Sequence, residues 1–128
     1  FKSMIRDLSL DYPDFLIASS EWFAFIPAKE YFDEPGDHAD ELETSVMMHY
    51  HPELVNLDEA GDGNYKKFAS QMLNEKVAWI PRNWQNVSQD TGIGNPKKAS
   101  AGKGKKYAEA VVAKYALLFE ELVHKELY

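Results

Sequence analysis

The segment Asp37-His-Ala-Asp-Glu-Leu-Glu-Thr-Ser45 places five ionisable side chains (Asp37, His38, Asp40, Glu41 and Glu43) in seven consecutive positions. Imidazole and carboxylate are the groups from which borderline metal sites and proton-transfer pairs are built. Asp40 followed by Glu43 three residues later has the form of a capping box, so the spacing predicts a helix that starts at Asp40. His38 then lies in the loop before the helix, and Glu43 in its first turn. On one straight helix, five residues at 100° each would set the two about 140° apart. A loop that enters the helix at an angle lets both face one cleft at the helix N-terminus. Two donors fall short of the roughly three protein ligands of a catalytic metal, so further ligands would come from elsewhere. The plainer alternative stays open at this point: Glu43 as the reciprocal cap of Asp40, and His38 as a loop residue.

The other candidate groups are weaker. His49 and His51 are two apart and diverge by about 200° on a helix, so they cannot share a metal. His124 falls on the outer face of the last helix. Gly92-Ile-Gly-Asn-Pro-Lys97 and Gly102-Lys-Gly-Lys-Lys106 fit neither the P-loop nor the dinucleotide spacing. No Gly-x-Ser-x-Gly elbow supports a nucleophilic serine. The chain has no cysteine, which removes disulfides, thiolate metal sites and cysteine nucleophiles together and fits a reducing compartment, the cytoplasm.

These residues need a scaffold, and the pattern predicts one of the α/β class. Phe1, Met4, Ile5 and Leu8 make one helical stripe that begins without a capping residue, as expected of a piece of a longer polypeptide. Asp11 to Asp14 reads as a turn around Pro13. Phe15 to Ser19 and Lys76 to Ile80 have the length and continuous apolarity of buried parallel strands. Trp22 to Phe32 is aromatic and irregular, with Pro27 as a break, and 85–104 reads as loop. Leu42, Val46 and His49 share one face of the helix that Pro52 stops. From about Lys105 to the end of the chain, Ala108, Val111, Val112, Tyr115, Leu118, Phe119 and Leu122 form a broad apolar helix face. A chain of 128 residues, 45% of them hydrophobic, can bury a core as one domain. Fourteen Lys and Arg against 21 Asp and Glu give a charge of −7, which argues against a phosphate-backbone binder. No apolar run approaches the roughly 18 residues of a membrane span.

His38-Ala-Asp-Glu-Leu-Glu-Thr-Ser45, then Val-Met-Met and His-Pro-Glu-Leu-Val55, resembles the H-A-G-E-x-E-T-S-x-M-L…P…V signature of the creatininase family (creatinine amidohydrolase and relatives). Thr91-Gly-Ile-Gly-Asn-Pro96, Ala99 and Lys103-Gly104 resemble its G-V-x-G-D-P…A…K-G segment, which leads into a final helix. By this resemblance residues 1–128 are the C-terminal half of a single family domain, a three-layer α/β/α sandwich with a mostly parallel sheet. The N-terminal half would then be this chain's partner and would carry most of the metal ligands. The resemblance implies a metal-dependent amidohydrolase acting on a non-peptide or cyclic C–N amide bond of a small molecule. It implies a divalent ion (Zn, Mn or Fe), His38 as the catalytic proton carrier and Glu43 as a metal ligand. Glu34, Asp37, Asp40 and Glu41 are expected beside the substrate or behind the ligands. The chain departs from the family pattern in three places: Asp40 replaces its glycine, Glu34 stands where creatininases place a tryptophan, and Asn95 replaces an aspartate. The partners expected are an amide substrate and further copies of the chain in a homo-oligomer, without nucleic acid or membrane. The alternative is a non-catalytic, creatininase-like binding module.

Overall fold

In the computed structural model, which describes residues 1–126, the helical stripe at the start of the chain forms α1 (Lys2–Asp11). Phe1 occupies its N-cap position without a side-chain bond, and Ile5 and Leu8 are half-buried. Residues 12–40 run irregularly through a single 3-10 turn at Ala28–Glu30. The chain then enters α2 (Glu41–Tyr50), capped as the spacing predicts by Asp40 and stopped before Pro52. A long irregular stretch holds only short turns, α3 (Gln71–Asn74) and α4 (Trp84–Val87). It leads to α5 (Ala101–His124), which starts four residues before the expected Lys105 because Ser100 Oγ accepts the Lys103 N–H at 3.3 Å. The helix ends at His124, and the last two residues of the expected run lie outside the described residues.

The packing centre is the crossing of α2 and α5. Gly104 makes it possible: a methyl group there would sit 1.9 Å from the Ser45 carbonyl oxygen, so only glycine lets the two backbones approach. Beside it, fully buried Ser45 accepts the Ser100 N–H at 3.1 Å through its hydroxyl. Ile26, Phe32, Leu42, Tyr107 and Val111 form the buried cluster around this crossing. Each such aliphatic or phenyl side chain contributes about 1.5–3 kcal/mol on burial. Tyr107 is fully enclosed, packs edge-on against Trp22, Tyr31 and Phe32, and donates its hydroxyl toward the Phe23 and Ile26 carbonyls at 3.2 and 3.3 Å. Burial pushes its phenol above the ordinary 10.0.

The expected α/β/α sandwich is not what these residues build. Among the described residues there is no sheet, and the one ladder element is an isolated antiparallel bridge between His38 and Ile93. Both predicted strands are exposed loop: Phe15 is 68% and Trp79 84% exposed. At 76–80 the reason is local. Lys76 adopts a left-handed φ of +61° after α3. Its N–H bonds the Leu73 carbonyl at 3.1 Å and the Val77 N–H bonds that of Met72 at 3.0 Å. That double bond pattern closes a helix C-terminus, so the first two residues of the apolar run serve as a cap rather than a strand.

Candidate active site

Asp40 organises the approach to α2. Its Oδ1 accepts the Glu43 N–H at 2.9 Å and its Oδ2 accepts the Gly36 N–H, so both carboxylate oxygens are occupied and the side chain is buried. Glu43 returns the bond one residue further back than a standard capping box, accepting the Ala39 N–H at 2.6 Å through Oε2. Ala39 has φ +49°, the turn that swings the preceding residue to the side of the helix end. His38 therefore meets Glu43 after all, with Nδ1 3.7 Å from Oε2. Both side chains are partly open to solvent.

The backbone of His38 is held separately. Its N–H donates to the Ile93 carbonyl at 3.1 Å, and the Ile93 N–H donates back at 2.8 Å. Gly94, at φ +123°, lets this second loop pass within contact distance of Asp40 and Gly36; a methyl group there would lie 2.8 Å from either. The imidazole rests against Trp84, with ring centroids 5.0 Å apart and planes tilted by 48°. Arg82 covers the same indole at 5.5 Å and pairs with Asp37. Nδ1 turned toward Glu43 leaves Nε2 as the nitrogen that can meet a ligand.

Of the six residues singled out in the sequence, the structure gathers His38, Glu43 and Asp37 around this point. The other three are engaged in holding the loop. Fully buried Glu41 pairs with Lys103 through Oε1 and accepts the Glu34 N–H at 2.6 Å through Oε2. The Glu34 side chain pairs with Lys98 at 2.7 Å, and this bonded ammonium holds its carboxyl below the ordinary 4.5. Asp33, bonded to Lys103 at 2.9 Å, is likewise held below 3.8. Lys103 is raised above 10.5 by its bonds to Asp33 and Glu41. Trp84 and Arg82 carry no signal in the sequence that ties them to His38, because no spacing rule links two distant loops.

Two clefts flank this loop. One of about 550 Å³ is lined by Ala39, Glu43, Met47, Leu57 and Gly94 among others. A second of about 790 Å³ has Asp37, Trp84 and Ile93 in its wall. The two neighbours of His38 in the chain thus face different clefts, while His38 itself lines neither.

The profile of the creatininase family, described as creatinine amidohydrolase, matches residues 1–119. The chain belongs to the creatininase family. It is also similar to a solved structure from Bacteroides fragilis that carries the provisional name creatinine amidohydrolase, with 60% identity and a TM-score of 0.94. That match covers all of this chain and 51% of the other, so the chain spans about half the length of its relative. Among curated proteins none is significantly similar. The creatininase match encloses both segments on which the sequence resemblance rests, around His38 and around Gly94.

Creatininase chemistry raises the question of a metal. Among the described residues no group of three or more His, Asp and Glu side chains converges on a point where an ion could sit. His38 and Glu43 offer two donors, the imidazole through Nε2 because Nδ1 faces Glu43, and one Glu43 oxygen already holds the Ala39 amide. A catalytic ion takes about three protein ligands, so this donor set by itself does not fit one.

Proposed function

We propose that this chain carries the proton-transfer side of an amidohydrolase site, one that cleaves a non-peptide or cyclic C–N amide bond in a small molecule. The observation that supports it most is the His38–Glu43–Trp84 constellation in a chain of the creatininase family. An amide nitrogen is a poor leaving group until it is protonated, and a positioned imidazole supplies that proton. Glu43 faces Nδ1 and orients the ring, so Nε2 delivers the proton. Trp84 holds the ring from the side.

Zn, Mn or Fe as cofactor then depends on ligands from the N-terminal half of the family domain, with Glu43 as this chain's contribution. We take that half to be the chain's partner and residues 1–128 to be the C-terminal part of one domain. A cysteine-free chain suits the cytoplasm. Among the described residues no helix is long and apolar enough to cross a membrane.

The test is a panel of linear and cyclic amides, assayed with the chain joined to the rest of the family domain and its metal content measured on the same sample. Release of amine or ammonia, lost in His38→Ala, is the expected result. A metal-loaded, folded protein that turns over none of the panel would overturn the enzyme reading and leave a binding module.

A further inference from the structure

The larger cleft has a composition that the proton-transfer pair does not need. Lys66, Lys67, Lys76 and Arg82 lie in its wall, and Asp37 is the only acidic residue there. Asp37 is already paired with Arg82, while among the described residues no carboxylate pairs with the three lysines. In a chain of charge −7 this wall carries four cations against one anion, an excess of three positive charges. Such a concave, one-signed wall concentrates anions.

The same cleft holds two of the three tryptophans, Trp79 and Trp84, together with Tyr65. Trp79 is 84% exposed and Tyr65 47%. Open indole and phenol faces beside cations are what a planar, negatively charged ligand meets on both counts, by stacking and by ion pairing. At about 790 Å³ the space is of the size that takes a small molecule. Trp84 belongs to this wall and also touches His38, which sets the imidazole behind the wall rather than in it.

We propose that this cleft binds small molecules that combine a planar ring with a carboxylate, the carboxylate held by Lys66, Lys67 and Lys76 and the ring by Trp79 and Tyr65. That such a molecule is the amide substrate rests on the hydrolase reading; that it binds here does not.

The probe pair is hippurate, an aromatic amide with a free carboxylate, and hippuramide, its uncharged counterpart. Each is titrated into the full chain by calorimetry and tryptophan fluorescence. Hippurate is expected to bind at least about tenfold tighter at low salt, an advantage that shrinks in 0.5 M NaCl, as expected for screened charges. In Lys66→Gln/Lys67→Gln the advantage falls toward unity while hippuramide binds as before, and Lys114→Gln on the exposed side of α5 keeps it. Equal binding of the two probes, no binding, or a preference that survives both the double substitution and salt overturns the proposal. Should the double variant not fold, the salt series on the unaltered chain decides. Charge-selective binding by this chain, with no turnover of the amide panel by the metal-loaded complete domain, would sink the hydrolase reading alone.

Discussion

His38 is anchored by its backbone and aimed by its side-chain neighbours, which separates what its imidazole does from what its position does. In His38→Ala the two bonds to Ile93 stay, so the loop keeps its course. Turnover in the complete domain is expected to fall by about 10²–10⁴, the usual contribution of a general acid–base group. Added imidazole, entering the space beside Trp84, should restore part of it; a variant as fast as the parent would sink the assignment. Glu43→Gln keeps an oxygen for the Ala39 N–H and loses only charge. It should leave the melting temperature nearly unchanged but lower metal content by atomic absorption, whereas a purely capping Glu43 would leave metal untouched. At this scale the sequence was readable wherever the interaction is local. Asp40 and Glu43 announce themselves three residues apart because a helix N-terminus leaves amides that must find acceptors nearby. Trp84 was invisible, since its contact with His38 is set by two loops folding together and leaves no periodic trace.

The three longer helices were legible, whereas the short α3 and α4 and the extended segments were not, for a reason the elements themselves give. A helix satisfies its own backbone, so its stripe and caps suffice to announce it; a strand is completed only by a neighbour. Phe15 to Ser19 and Lys76 to Ile80 have strand-like composition, yet among the described residues no backbone lies alongside them to form a ladder. The crossing of α2 and α5 offers a sharper test of what holds the fold. Gly104→Ala adds a methyl group 1.9 Å from the Ser45 carbonyl and is expected to cost roughly 3 kcal/mol, the upper part of the overpacking range. Gly102→Ala, two residues earlier in the same helix with nothing within 4 Å, should instead stabilise by up to about 1 kcal/mol through helix propensity. Urea melts of the two variants check both signs at once. Lys103→Met, which strands fully buried Glu41, should lower the melting temperature more than Lys105→Met, whose partner Glu109 is exposed.

The ionic ties of the loop set the pH range of the whole molecule. Asp33 and Glu34 are held below their ordinary 3.8 and 4.5, so the stability they add is present above those values and is lost as pH falls through the lowered ones. Lys98 and Lys103 are raised above 10.5, so their contribution is present below that value and is lost as pH rises through the raised ones. Tyr107 adds to the alkaline loss, because the unfolded phenol ionises first. The urea midpoint should therefore be flat from about pH 5 to about pH 10 and fall on both sides. A midpoint that drops steadily between pH 8 and 6 would contradict this. The buried residues of α5 stop at Val111, while Leu117, Phe119 and Val123 are 55%, 61% and 75% exposed. Light scattering should find more than one copy per particle if this face is what a homo-oligomer covers. In an isolated copy, the same uneven burial divides one continuous helix of about 36 Å into two kinetic regimes. Amides up to Val111 should surrender deuterium only when the α2 crossing opens globally. Those beyond Tyr115 should exchange by fraying, orders of magnitude sooner, so the rate at which the end of α5 exchanges becomes a direct reporter of whatever comes to lie against it.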